Sequence, residues 1–158
     1  MSVTIDGTHG VSKVAPGVVG NAPAFKAKSA GGYAGSGTKV LVSGEVFDTD
    51  NCYDTTLCRF TPNVPGYYLV TLATGGNKSS SDTGWIFPKL YKNGVDIGDN
   101  LGGCNFFPIG NGGFFGISGT AIVYMNGTTD YLEMYYISSG TFVFIDSAQF
   151  EAHLVRNI

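Results

Sequence analysis

The feature that most constrains this chain is the near absence of helical periodicity. Apolar residues do not recur at helical spacing over any long stretch. Glycine, proline and Asn-Gly pairs interrupt the sequence roughly every 8 to 15 residues, as they do in sandwiches and barrels of short strands. The fold class that follows is all-β. The last strand is the clearest: Phe150, Ala152 and Leu154 alternate with Gln149, Glu151 and His153, which puts apolar side chains on one face and polar ones, His153 included, on the other. Runs at 67–74, 120–125, 131–137 and 141–145 are β-branched or aromatic with apolar residues on both parities, the pattern of strands covered on both sides. A lone two-sheet sandwich covers one side only. A neighbouring copy is therefore the expected second cover, with Tyr67, Tyr68, Tyr131, Met134 and Tyr136 as its expected contacts.

Turn chemistry places the corners. Lys92-Asn93-Gly94-Val95 predicts a type I′ hairpin, because both central residues tolerate positive φ. Asn126-Gly127 predicts a second turn, and Val64-Pro65-Gly66 leads directly into the strand at Tyr67. A flexible glycine lead at 32–37 is read as running into a strand over Val40 to Val46. Residues 75–84 and 98–119 read as loops, the second studded with Phe106, Phe107, Phe114 and Phe115. Trp85, Phe114 and Phe115 are the candidate contacts at the loop end of the molecule.

Residues 1–24 differ from the remainder. Val3 and Ile5 alternate briefly before Gly7, Gly10, Pro16, Gly17, Gly20 and Pro23 prevent any long element. Such an arm cannot offset its own chain entropy and is expected to order on another surface, docking through Val3, Ile5, Val11 and Val14. The expected organisation is an arm at 1–24 and a head domain at 25–158.

Charge narrows the function classes. Charged residues are 13% of the 158, with a net charge of -3, against an ordinary charged share of ~25%. The few Lys and Arg are scattered, so neither a nucleic-acid backbone nor an anionic membrane has a basic footprint to bind. No apolar run reaches the ~18 residues of a membrane span, and the start Met1-Ser-Val-Thr-Ile-Asp6 lacks a secretory signal pattern. The expectation is synthesis in the cytoplasm. The sequons at Asn77 and Asn126 carry no weight without a secretory route. Cys52, Cys58 and Cys104 fit no metal pair and read as reduced thiols, while a bridge from Cys52 to Cys58 stays open for an oxidising medium.

Catalytic inventory is thin. Gly32 to Lys39 fails the phosphate-loop spacing because Thr38 precedes Lys39. Asp48, Asp50 and Asp54 lack the glycine and the closing acid of an EF-hand loop and read as carboxylates capping a turn, with a looser ion site as the minor alternative. The two histidines, His9 and His153, stand in no triad pattern, and no Gly-x-Ser-x-Gly elbow is present. No enzyme activity, cofactor or metal is expected.

From Phe25 onward the chain resembles the globular head of the complement C1q and tumour necrosis factor superfamily. The matching residues are Ala24-Phe25, Val46-Phe47-Asp48, Tyr53-Asp54, Phe60-Thr61-Pro62 and Val64-Pro65-Gly66-Tyr67-Tyr68, then Leu90-Tyr91-Lys92-Asn93-Gly94, Gly119-Thr-Ala121, Asp130-Tyr131-Leu132 and Phe150-Glu-Ala152-His-Leu154. Ala152 stands where that family has glycine. The resemblance implies a jelly-roll sandwich that assembles into trimers. The arm, Val3-Thr-Ile-Asp-Gly-Thr-His-Gly-Val-Ser-Lys-Val14 followed by Asn21-Ala-Pro-Ala-Phe25, resembles the lead-in of tailed-bacteriophage virion proteins that carry such heads. Together these imply a phage structural protein located in the virion. The first expectation is a homotrimeric capsid decoration, or cement, protein bound to the major capsid protein or another virion component, favoured by the short chain with no shaft. The alternative is a tail-fibre tip or receptor-binding module that recognises host-surface glycan.

Overall fold

The computed structural model describes residues 22–29, 32–34, 36–78, 85–98, 114–139, 142–144 and 148–158. Its strands are β1 (Ala24–Lys28), β2 (Gly32–Ala34), β3 (Gly44–Asp48), β4 (Tyr53–Asp54), β5 (Arg59–Phe60), β6 (Gly66–Lys78), β7 (Ile86–Lys92), β8 (Val95–Asp96), β9 (Phe114–Met125), β10 (Leu132–Ser138), β11 (Phe142–Phe144) and β12 (Gln149–Asn157). No helix occurs among the described residues. The arm residues Val3, Ile5, Val11 and Val14, and also His9 and Cys104, lie outside them.

The strands form two antiparallel sheets. One runs β2-β11-β6-β12-β1-β3, with β9 paired along the other edge of β6; the other runs β4-β5-β10-β7-β8. Every pairing is antiparallel, and only β4–β5 and β7–β8 join strands consecutive in the chain. Ahead of β1 the Pro23 carbonyl accepts the Leu154 amide at 3.0 Å.

Between the sheets the core is aromatic at one end. Phe25 stacks on Tyr53 and on Phe60, each with ring centroids 4.5 Å apart, and meets the edge of Phe150 at 4.9 Å. Such pairs contribute beyond the area they bury. The Tyr53 and Tyr68 hydroxyls each donate at 2.8 Å to a main-chain carbonyl, of Val42 and Val64 respectively. Burial pushes both phenols above their ordinary range.

In β6 the residues Tyr68, Val70 and Leu72 face this core, and in β10 Leu132, Met134 and Tyr136 do. Tyr68, Met134 and Tyr136, expected at a contact with a neighbouring copy, are thus fully enclosed by the chain's own two sheets. Parity was ambiguous because both faces of these strands are apolar. The turns follow their sequence signals: Asn93 (φ 54) and Gly94 (φ 78) make the type I′ hairpin between β7 and β8. The strand expected over Val40 to Val46 begins later, at Gly44. Before it, Val40 donates to the Met134 carbonyl at 2.8 Å and Lys39 bridges to Tyr135, extending the edge of β10. The presumed glycine lead contains β2, paired with β11.

Candidate functional site

The outer face of the larger sheet is laid out by its register. One row of opposed residues runs Thr49, Ala24, His153, Leu69 and Ile122 across β1, β12, β6 and β9. The next runs Phe47, Lys26, Glu151, Thr71 and Thr120, with Lys26 and Glu151 ion-paired at 3.2 Å. On the other side of the His153 row, Tyr67 opposes Tyr124, their rings 5.6 Å apart. Ile122 is 64% exposed, Val155 55%, Tyr67 44% and Tyr124 39%. These side chains are the large apolar groups exposed at the β9 side of the larger sheet.

A polar clamp fixes the aromatic corner of that face. Lys92 donates to the Tyr124 carbonyl at 2.7 Å and ion-pairs with Asp130 at 2.8 Å. Asp130 also accepts from the Asn93 side chain and the Asn126 amide, and Asn126 Oδ1 accepts from the amides of Thr128, Thr129 and Asp130. Burial alone would raise the Asp130 carboxyl; the hydrogen bonds from Lys92, Asn93 and Asn126, together with the Lys92 charge, reverse this and hold it below its ordinary value. The clamp joins β7, β9 and the turn before β10, so it sets where Tyr124 stands.

A second clamp lies on the outer face of the smaller sheet. The Glu133 side chain is only 5% exposed, and one of its oxygens accepts from Lys39 at 2.7 Å and from Arg59 at 3.0 and 2.9 Å. Lys39 donates also to the Leu57 carbonyl. Burial would raise the Glu133 carboxyl, yet the hydrogen bonds and charges of Lys39 and Arg59 hold it below its ordinary range. Arg59 covers the Tyr131 ring at 3.7 Å, and Tyr91 stacks on Tyr135 at 4.0 Å. On this face Tyr91, Tyr131 and Tyr135 are half-buried.

No family model and no curated protein matches the chain. Solved structures do. The globular domain of zebrafish complement 1qA protein is similar over 87% of this chain and 100% of that one, at 14% identity and a TM-score of 0.61. Eiger TNF from S. frugiperda is similar over 87% and 93%, at 13% identity and 0.56. The PRD1 vertex protein P5 is similar over 85% and 96%, at 15% identity and 0.52. The fold is a C1q/TNF-like jelly roll.

Within this jelly roll the expected contact residues separate. Tyr67 lies on the exposed face of the larger sheet, Tyr131 lies under Arg59 on the opposite sheet, and Tyr68, Met134 and Tyr136 lie between the two. The exposed face is instead completed by Ile122, Tyr124 and Val155, which sequence reading did not single out. Ile122 and Tyr124 share β9 with the inward Val123 and Met125, so alternation gave no signal; only the pairing of Tyr124 with Tyr67 identifies the face.

The expected loop contacts also shift. Residues 75–78 belong to β6, and Phe114 and Phe115 open β9, opposite Asn77 and Gly76, where a loop was expected. Trp85 stands half-buried before β7, its ring 5.1 Å from that of Phe87 and its main chain bonded to Ser139. All three lie at the end where β6 finishes and β7 and β9 begin. Phe106 and Phe107 fall outside the described residues.

The remaining candidates read as structure. Asp48 accepts the Tyr53 and Asp50 amides and Asp54 those of Thr56 and Leu57, as carboxylates capping turns do. Among the described residues no cluster could hold a metal. Cys52 and Cys58 are free and buried, and burial pushes both thiols up, away from the reactive thiolate.

Proposed function

We propose that the chain is a non-enzymatic bacteriophage structural protein, a homotrimeric capsid decoration protein located in the virion. The observation that carries this reading is the exposed apolar face on a C1q/TNF-like jelly roll. Tyr67, Ile122 and Tyr124 lie toward the β9 margin of that face, while the exposed Val46 and Phe47 lie on β3 at the opposite margin. Head-to-tail contacts between the two margins close into rings when the rotation allows. The ring we favour is three-fold, each copy setting its β9 margin against the β3 margin of the next. Similarity to a vertex protein of phage PRD1 supports a place on the particle surface, and the arm's resemblance to phage lead-in segments supports residues 1–24 as the anchor to the major capsid protein or another virion component.

A bound decoration protein adds binding free energy to the assembled shell at many sites, and so stabilises it by mass action. Particles assembled without this chain are expected to burst at lower temperature than complete ones while adsorbing to host cells normally. The second reading, a receptor-binding module that recognises host-surface glycan, draws on the position of Trp85 at the loop end of the head. Particles of undiminished stability that no longer adsorb would establish that reading and overturn decoration.

A further inference from the structure

On the inner face of the larger sheet one row carries hydroxyls in place of apolar groups. The Ser29 amide donates to the Ala148 carbonyl at 2.9 Å. One step beyond the pairing of Gln149 with Ala73, Thr74 stands on the other side of Ala148, and Ile117 of β9 is opposite Thr74. Ser29 is 7% exposed, Thr74 2%, and Ala148 is fully buried. Neither the Ser29 Oγ nor the Thr74 Oγ1 has a hydrogen-bond partner among the described residues. We propose that this row is a hydration site, in which ordered water seated over the Ala148 methyl bonds to both hydroxyls.

Parity and side-chain size locate the site. Ser29 continues the inward series of Phe25 and Ala27 on β1, Thr74 that of Tyr68, Val70 and Leu72 on β6, and Ala148 leads into Phe150 and Ala152 on β12. All three therefore face the opposite sheet, where Ile86 and Ser138 are buried at the same end. The adjoining inner row is Ala27, Phe150, Leu72 and Gly119. There a phenyl ring fills the central position, whereas the hydroxyl row has only a methyl. Ser29 and Thr74 stand two strand spacings apart, about 10 Å between main chains, too far for two short side chains to bond each other. At the aromatic end of the core the Tyr53 and Tyr68 hydroxyls are satisfied by main-chain carbonyls; Ser29 and Thr74 have no such acceptor. A buried hydroxyl left without a partner costs more than a hydrogen bond returns. Two of them flanking one small side chain meet the minimum of about two polar partners that a buried water takes.

The test is magnetic relaxation dispersion of the water oxygen with the full native chain, which counts internal waters and is blind to exchanging hydroxyl protons. A double variant, Ser29→Ala with Thr74→Val, removes both hydroxyls at little change in volume. Its dispersion amplitude is expected to fall below wild type by about one water or more, with an amide spectrum unchanged outside this row to show that the head is folded. Thr74→Ser, which keeps the hydroxyl, is expected to hold at least the wild-type amplitude. An amplitude that the double variant leaves at the wild-type value overturns the site. Should the double variant not fold, a crystal structure of wild type decides. Water within hydrogen-bond distance of Ser29 Oγ and Thr74 Oγ1 supports the site, and hydroxyls turned onto protein acceptors with no water between them overturn it.

Discussion

At position 127 a single methyl group decides whether two turns can pack. Gly127 has φ +73, and a Cβ there would lie 2.6 Å from the Pro65 Cδ and closer still to the Pro65 nitrogen. Gly127→Ala therefore combines backbone strain with a clash against rigid main chain, and it is expected to lower stability by about 2 kcal/mol or more in denaturant titration. Glu133 is the second decisive residue. Its folded carboxyl is held low, so its contribution is present above the ordinary carboxylate range and is lost as pH falls through the folded value; Asp130 behaves likewise. Thermal unfolding is expected to show wild type losing stability below about pH 4.5. Glu133→Gln should be about 3 kcal/mol less stable at neutral pH, where Lys39 and Arg59 lose their counter-charge, with the gap narrowing in acid. An unchanged gap at low pH would show that the carboxylate charge is not what holds the clamp.

At the scale of elements, legibility followed the contrast between the two faces of a strand. In β12 the polar Gln149, Glu151 and His153 alternate with Phe150, Ala152 and Leu154; the structure buries Phe150 and Ala152, packs a half-buried Leu154 against the core, and leaves Gln149 and Glu151 half-buried and His153 exposed. In β6, β9 and β10 both parities are apolar or aromatic, so residue type could not say that Tyr68 faces in and Tyr67 out. The β7–β8 hairpin was legible because Asn-Gly has a local conformational reason to turn. Its tertiary role was not: the Asn93 side chain donates to Asp130 at 2.8 Å and accepts the Tyr131 amide at 2.9 Å, contacts made across a separation of almost 40 residues. Asn93→Ala removes both bonds and places alanine at positive φ, so a loss of about 2 kcal/mol is expected by thermal or chemical unfolding. A loss confined to a few tenths would mean that the turn, not the clamp, is all that Asn93 supplies.

For the whole molecule the jelly roll was legible from the order of its motifs, from Ala24-Phe25 to Phe150-Glu-Ala152, because turn residues and core aromatics recur in the same sequence of positions. The candidate interface was not, since it depends on the pairing of β6 with β9, which only the folded sheet defines. On the smaller sheet Arg59 covers Tyr131 and Tyr91 stacks on Tyr135; the proposed self-association uses the larger sheet, where Tyr67, Ile122 and Tyr124 are exposed. Sedimentation equilibrium of the native chain at micromolar concentration and neutral pH tests this most directly, compared with Ile122→Asp on the larger sheet and with Val95→Asp on the equally exposed β7–β8 hairpin. Wild type and Val95→Asp are expected at about 50 kDa, three copies of 16.6 kDa, and Ile122→Asp as a folded monomer. A wild-type monomer, or a trimer that Ile122→Asp leaves intact, would contradict assembly through this face.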